Sequence, residues 1–339
     1  VIYNTGIITN IAGSFTNNNL QGLSSTGIIY NTGTIGEISS TFDGNNARNK
    51  SAVILNLNNI ELITGTFTNN VNAIYAYSGT INDISASFEN NTGSAIKIYN
   101  SEVNNITSTF NNNSSSQGGA IYISSGATNV VINGSTFIEN SAISSSDKAL
   151  GGAIYNASNN LTINNSTFTG NYAQTTTGVA IGGAIYSTGD IIFNVNDGFE
   201  SVFKDNYVQI GTNKDYVGIG VGSVFGITLD SQVTENDTRT TIYTYTTNST
   251  PTLTFNLSES GSIVMDDKIV LADNNVYTYK RTIVQNVKTN SDGTKSYTTK
   301  SDNSTTATKT GQTMNAKLNI TSSDNTGVFN LNNDVVNFD

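Results

Sequence analysis

Phenylalanine followed three residues later by asparagine recurs in phase at eight positions over the first 206 residues. The pairs are Phe15 and Asn18, Phe42 and Asn45, Phe67 and Asn70, Phe88 and Asn91, Phe110 and Asn113, Phe137 and Asn140, Phe168 and Asn171, and Phe203 and Asn206. The spacing from one Phe to the next runs from 21 to 35 residues. A unit of that size cannot bury an apolar face by itself, but stacked copies can, so the period predicts a solenoid.

Upstream of each Phe lies an aliphatic residue, usually Ile followed by Tyr: Ile2-Tyr3, Ile29-Tyr30, Ile54-Leu55, Ile74-Tyr75, Ile96-Lys97, Ile121-Tyr122, Ile154-Tyr155 and Ile185-Tyr186. A third apolar segment falls between, such as Ile7-Ile8, Ile35 to Ile38 or Leu161 to Ile163. Three short strands per unit, with like residues returning once per turn, predict an all-β chain folded as a parallel β-helix. Parallel crossover connections are overwhelmingly right-handed, so a right-handed β-solenoid is expected. Coils about 4.8 Å apart would place the eight Phe residues in an interior stack roughly 35 Å long. Each repeat Asn suits a turn, because it tolerates positive φ and its amide can bond the Asn one coil away.

Composition matters here for what it excludes. Apolar residues make up 36% and charged residues 12%, a balance that in Asn- and Ser-rich chains often accompanies disorder. The Ile, Val, 14 Phe and 16 Tyr, set in short alternating runs, point instead to strands. With no His and no Cys there is no imidazole or thiolate chemistry, no disulfide frame and no zinc knuckle. A net charge of −10 with 15 basic residues disfavours nucleic acid and anionic membrane surfaces. No apolar run approaches the roughly 18 residues of a membrane-spanning helix. Val1 stands where no Met or signal pattern is found, which points to a mature product or an excised segment.

The later units swell between the repeat Asn and the next Ile-Tyr, at residues 141–150 and 172–181, which predicts insertions gathered along one edge. The repeat marks then stop. Segments at 253–257, 262–265, 317–320 and 327–336 still alternate like half-buried strands. Asp292-Gly293 marks a hairpin turn between residues 276–287 and 295–300, and 240–255 reads as a second hairpin interrupted at 248–251. The expected organisation is therefore a β-helix of about eight repeats over 1–228. Residues 229–339 then continue or cap it, with a protruding hairpin near 276–300.

Gly118-Gly119-Ala120-Ile121, Gly151-Gly152-Ala153-Ile154 and Gly182-Gly183-Ala184-Ile185 each precede one of the Phe/Asn marks. GGA[I/L/V] paired with FxxN resembles the repeat signature of the chlamydial polymorphic membrane proteins and similar autotransporter adhesins. The resemblance covers about residues 1–210. The first units keep less of it, as in Ala52-Val53, Ala73-Ile74 and Ala95-Ile96. It implies a right-handed β-helical passenger exported to the bacterial outer-membrane surface and used in adhesion.

Candidate sites follow from alternation. If the Ile of each Ile-Tyr pair points inward, Tyr30, Tyr75, Tyr122, Tyr155 and Tyr186, with Tyr3, turn outward along one face. Such a ladder suits a protein or glycan partner, and equally suits mere shielding of the sheet. Asp190, Asp197, Glu200 and Asp205, with Lys204 beside them, are the acid–base material of one unit. A pair of carboxylates at glycosidase spacing would make them catalytic, and otherwise they are solvated turns. Asp266-Asp267, Asp43 to Asn46 and Asp324-Asn325 offer oxygen ligands without an EF-hand or nonapeptide calcium pattern. Asn133-Gly-Ser135 and Asn165-Ser-Thr167 are chance-level glycosylation triplets in a chain of this composition.

The expected function is a surface-exposed, non-catalytic adhesin passenger that binds a host, matrix or cell-surface protein or glycan. It is expected to need no cofactor and no metal. The alternatives are a β-helical polysaccharide lyase, hydrolase or tailspike-like segment, and a self-assembling filament or surface-layer element.

Overall fold

The computed structural model describes every residue except 1, 21–25, 48–50, 146, 223, 250, 259, 272–276, 305–307, 310–316, 323–327, 332–334 and 338–339. Side chains are described as far as residue 303, apart also from 224–228, 243, 245–249 and 271–281. The described residues are all-β, and none forms a helix long and apolar enough to cross a membrane. Two compact units emerge. One comprises residues 1–222, 251–272 and 317–339, and the other residues 223–250 and 273–316.

The first unit is a parallel β-helix. Its register is set by identical residues meeting coil after coil. Ile2 pairs with Ile29, then Ile54, Ile74, Ile96, Ile121, Ile154, Ile185, Ile219 and Ile269. The Phe residues do the same from Phe15 to Phe203, and Met265 follows in the next coil. From Phe42 onward these rings are fully buried, and neighbouring rings stack with centroids 4.6 to 4.9 Å apart. Stacked aromatic pairs add about 0.5–1.5 kcal/mol each beyond the area they bury.

Strand count per coil differs from the expected three. In the first three coils the second and third segments run together as Ile7–Thr16, Thr34–Asp43 and Asn59–Thr68. In the fourth coil all three join as Ile74–Glu89. Bends inside such continuous strands are taken up at Gly13 and Gly65, with φ of 130° and 97°. Later coils separate into Ile121–Ile123, Thr128–Asn133 and Thr136–Ile138 and their equivalents. The insertions also form strands. Ser141–Ser144, Tyr172–Thr175 and Tyr207–Ile210 pair in parallel as an extra sheet, and Lys148–Leu150 pairs with Val179–Ile181. Ala142, Ala149, Ala173 and Ala180 form a small core of their own within these segments. The first two insertions return through Gly-Gly-Ala-Ile, as does the short Ser114–Ser115 strand before them. The first Gly has positive φ at Gly118, Gly151 and Gly182, and a Cβ on Gly118 would lie 2.1 Å from the Ile121 carbonyl oxygen.

The repeat Asn residues build a buried row that ties coil to coil. Asn140 is representative. Its Nδ2 donates to Asn171 Oδ1 at 3.0 Å and to the Phe110 carbonyl at 2.9 Å. Its Oδ1 accepts the Asn113 backbone N–H at 3.0 Å and Asn113 Nδ2 at 2.9 Å. The pattern holds from Asn45 to Asn206, so the buried amides are satisfied as burial requires. At the ninth coil the row passes to Asp267, whose Oδ2 accepts both the Asn206 N–H at 3.1 Å and Asn206 Nδ2 at 2.7 Å. An ionised carboxylate accepts but does not donate, so it suits the end of a run of donors and not its middle.

Asp267 is 1% exposed, and burial pushes its carboxyl up to about 6, partly offset by the Asn206 donors. In the unfolded chain it would titrate near 3.9. The folded state therefore holds more protons between about pH 4 and 6, and stability falls as pH rises through that window. Asp267→Asn keeps both acceptor contacts without the charge. It is expected to raise stability by about 2 kcal/mol at pH 7.5 and to leave it unchanged below pH 4. Denaturant titrations of both proteins at the two pH values measure this, and equal stabilities at pH 7.5 would refute it.

The second unit is an antiparallel sheet. Val224–Glu235, Thr238–Ser249, Tyr277–Thr289 and Lys295–Ser304 pair in that order. The last two form a hairpin turned at Gly293, with φ of 82°, while Asp292 accepts the N–H and O–H of Thr294 at 2.9 and 2.7 Å. A hairpin over 240–255 does not form. Asn236 and Asp237 both take positive φ, 49° and 57°, and fold Thr238–Ser249 back on Val224–Glu235 instead. Two adjacent residues tolerant of that conformation make a hairpin turn that matches strand twist. Thr252–Leu257, just past Pro251, is a β-helix rung paired with Ile191–Val195 and Lys317–Ser322.

Candidate binding face

The residue following each rung Ile forms an outer column. Its members are Tyr3, Tyr30, Leu55, Tyr75, Lys97, Tyr122, Tyr155, Tyr186 and Gly220, each in register with the next. Tyr3, in the first coil, is 67% exposed, whereas Tyr30, Tyr75, Tyr122, Tyr155 and Tyr186 are half-buried because each ring is covered by its neighbours along the column. Ring centroids lie 5.1 Å apart for Tyr3 and Tyr30, 4.9 Å for Tyr122 and Tyr155, and 5.7 Å for Tyr155 and Tyr186.

The column is interrupted at two coils, with different outcomes. Where Lys97 replaces Tyr, Tyr99 from two residues on supplies a ring. Its centroid is 5.0 Å from that of Tyr75 and 5.6 Å from that of Tyr122. Lys97 turns its Nζ to Asn72 Oδ1 at 2.8 Å, and burial lowers its pKa. Where Leu55 replaces Tyr, the residue two further on is Leu57, and that coil brings no ring to the face. A depression of about 400 Å³ results, lined by both leucines, Tyr30, Tyr75, Tyr77, Tyr99 and Asn100. Burial and then the neighbouring Tyr99 push the Tyr122 hydroxyl up to about 12 and raise Tyr75 further, so these phenols are neutral donors at physiological pH. Burial and then Tyr155 also push Tyr186 up to about 12.

Tyr77 and Tyr99 were not legible as part of this face. Their signal was Tyr75-Ala-Tyr77 and Lys97-Ile-Tyr99, a second outward position two residues along the same strand.

The carboxylates of the eighth unit are engaged separately with the following coil. Asp190 Oδ1 accepts the Thr252 N–H at 2.7 Å. Asp197 Oδ1 accepts the N–H and O–H of Ser260 at 2.9 and 3.2 Å, and these donors together with Ser258 lower its pKa. Glu200 Oε2 accepts the Ser262 hydroxyl at 3.3 Å. Asp205 lies apart from them, lining depressions with Tyr216, Asp215 and Lys268 on one side and with Glu139, Tyr172 and Tyr207 on the other.

Among the described residues no group of three carboxylates is placed to hold a metal ion. Asp43 instead accepts Asn69 Nδ2 at 3.0 Å, and Asp267 caps the Asn row. Asp324-Asn325 lies outside the described residues. Asn133 and Asn165 of the glycosylation triplets serve inter-coil bonds, accepting from Asn164 Nδ2 and from the Asn196 N–H. Comparisons of the chain with protein-family models, with curated proteins and with solved structures found no match.

Proposed function

We propose that this chain is a surface-presented adhesin module that binds a host, matrix or cell-surface partner through the tyrosine face of its β-helix, without catalysis. The observation that carries the reading is the outer aromatic column, which combines half-buried ring area with phenol groups over several coils. Tyr pairs large contact area with a polar tip at little entropic expense, which is why it concentrates binding energy at interfaces. The repeat resemblance to autotransporter adhesins supports the same reading, and with it a position on the outer surface of a Gram-negative cell.

The test is binding of the full chain to immobilised cells and matrix preparations, compared with Tyr122→Ala/Tyr155→Ala/Tyr186→Ala. At least a tenfold loss of binding is expected, since interface Tyr residues commonly contribute more than 1 kcal/mol each. Equal binding by the two proteins would remove the Tyr column from the reading.

Polysaccharide cleavage is a second reading, and one observation favours it. Glu139 and Asp205 lie two coils apart on either side of Gly170, lining a depression of about 470 Å³ with Tyr172 and Tyr207. Release of reducing ends from a soluble polysaccharide would promote this reading over adhesion.

A further inference from the structure

The leucine coil leaves a slot of defined width. Tyr30 and Tyr75 are both register neighbours of Leu55, one coil to either side. Two coil spacings separate their backbones by about 9.5 Å. That width admits one saturated six-membered ring with an aromatic face on each side. The floor is apolar, formed by Leu55 at 3% exposure and half-buried Leu57. The rim is polar and uncharged, formed by the phenols of Tyr77 and Tyr99 and the exposed amide of Asn100.

We infer that this depression is a subsite for a neutral pyranose unit of a cell-surface glycan, an inference that rests on the binding-module reading above. A pyranose ring has an apolar C–H face and a hydroxylated edge. The first matches the ring walls and leucine floor, and the second matches the phenol and amide rim. No charged side chain lines the depression, so it offers nothing to a sialylated or sulfated sugar. A peptide gains less here. The strand carrying Leu55, Ala52–Asn56, is paired on both edges, so no main-chain edge is open for strand addition.

The decisive variant is Leu55→Tyr. It supplies the ring missing from the column, in register between Tyr30 and Tyr75, and so fills the slot while extending a stack that the fold already uses. The full chain is applied to an array of neutral gluco-, galacto- and manno-oligosaccharides. Sialylated and sulfated glycans and a Phe- and Tyr-containing peptide are printed alongside. Wild type is expected to bind neutral pyranosides preferentially. Leu55→Tyr is expected to lose at least tenfold in affinity with its melting temperature maintained, and Tyr77→Ala to weaken binding severalfold. Wild-type affinity in Leu55→Tyr overturns the inference, as does preference for the peptide or for charged glycans. If the array is silent while cells are still bound, the glycan subsite fails and the adhesin reading stands. If neither is bound, both fail.

Discussion

Asn140→Ala is expected to destabilise the β-helix by about 4 kcal/mol, because it leaves two buried donors without acceptors at about 1–3 kcal/mol each and removes one donor from a buried carbonyl. The Asn113 N–H and one Asn113 amide hydrogen lose their acceptor, and the Phe110 carbonyl loses its side-chain donor. Asn171 Oδ1 keeps only the backbone N–H of residue 140. All of these sites lie where water has no access. Asn140→Asp separates two contributions. Its carboxylate retains both acceptor contacts from Asn113 but donates nothing to Phe110 and faces the Asn171 oxygen. It should therefore be destabilised as well, and less so under acid, where a protonated carboxyl regains one donor. Urea unfolding of the three proteins at pH 7 and pH 4 measures the series. A loss below about 1 kcal/mol for Asn140→Ala would show that the row is decorative.

Phe137→Ala is expected to lower stability by about 3–5 kcal/mol, the range for removing a buried aromatic side chain. The ring is fully buried, with stacked neighbours at 4.8 Å toward Phe110 and 4.6 Å toward Phe168. Both neighbours are held in strands by the same ladder, so neither can slide along the axis to fill the gap. Phe15→Ala is the internal comparison. Phe15 is half-buried, with a stacked neighbour only at Phe42, 5.0 Å away. Its loss should be closer to about 1 kcal/mol, since most of the cavity would open to solvent. Equal losses at the two positions, read from denaturant midpoints, would mean that stacking and burial do not set the stability of a coil.

Most of the β-helix was legible because one residue type carries one geometric duty at each phase. Phe and Asn recur in step, so the register that joins Phe110 to Phe137 and Phe168 could be read from spacing alone. Strand ends were less legible. A Gly at positive φ lets Ile7–Thr16 continue round a corner as one strand, and nothing in apolar alternation distinguishes a bend from a break. The residues that shape the depression escaped for another reason. Alternation places a Tyr outward, but whether its ring is shielded depends on the coils above and below. Leu55 gained meaning only beside Tyr30 and Tyr75, and Tyr99 only beside Lys97. Asp267 was hidden by a one-residue contraction, with Met265-Asp-Asp267 standing where FxxN would be expected. The pairing of Thr238–Ser249 with Val224–Glu235 turns on Asn236-Asp237, where two residues at positive φ make the hairpin turn without a Gly to mark it.

Successive members of the Asn row are separated by 21 to 35 residues up to Asn206, and by 61 between Asn206 and Asp267. Closing the longer loop adds only about 0.5 kcal/mol, because the entropy grows with the logarithm of length. The chain departs into its antiparallel unit after Val217–Val221 and again after Lys268–Leu271, and the ends of these strands, Val221 and Leu271, are register partners. Both departures thus leave from one corner of the coil, and the rungs resume on the far side in unbroken parallel register. That corner is a graft point. A foreign domain whose ends come close together can be spliced there with little penalty to the coils around it, and the same register position in earlier coils, after Ile123 or Asn156, offers equivalent sockets for modular enlargement.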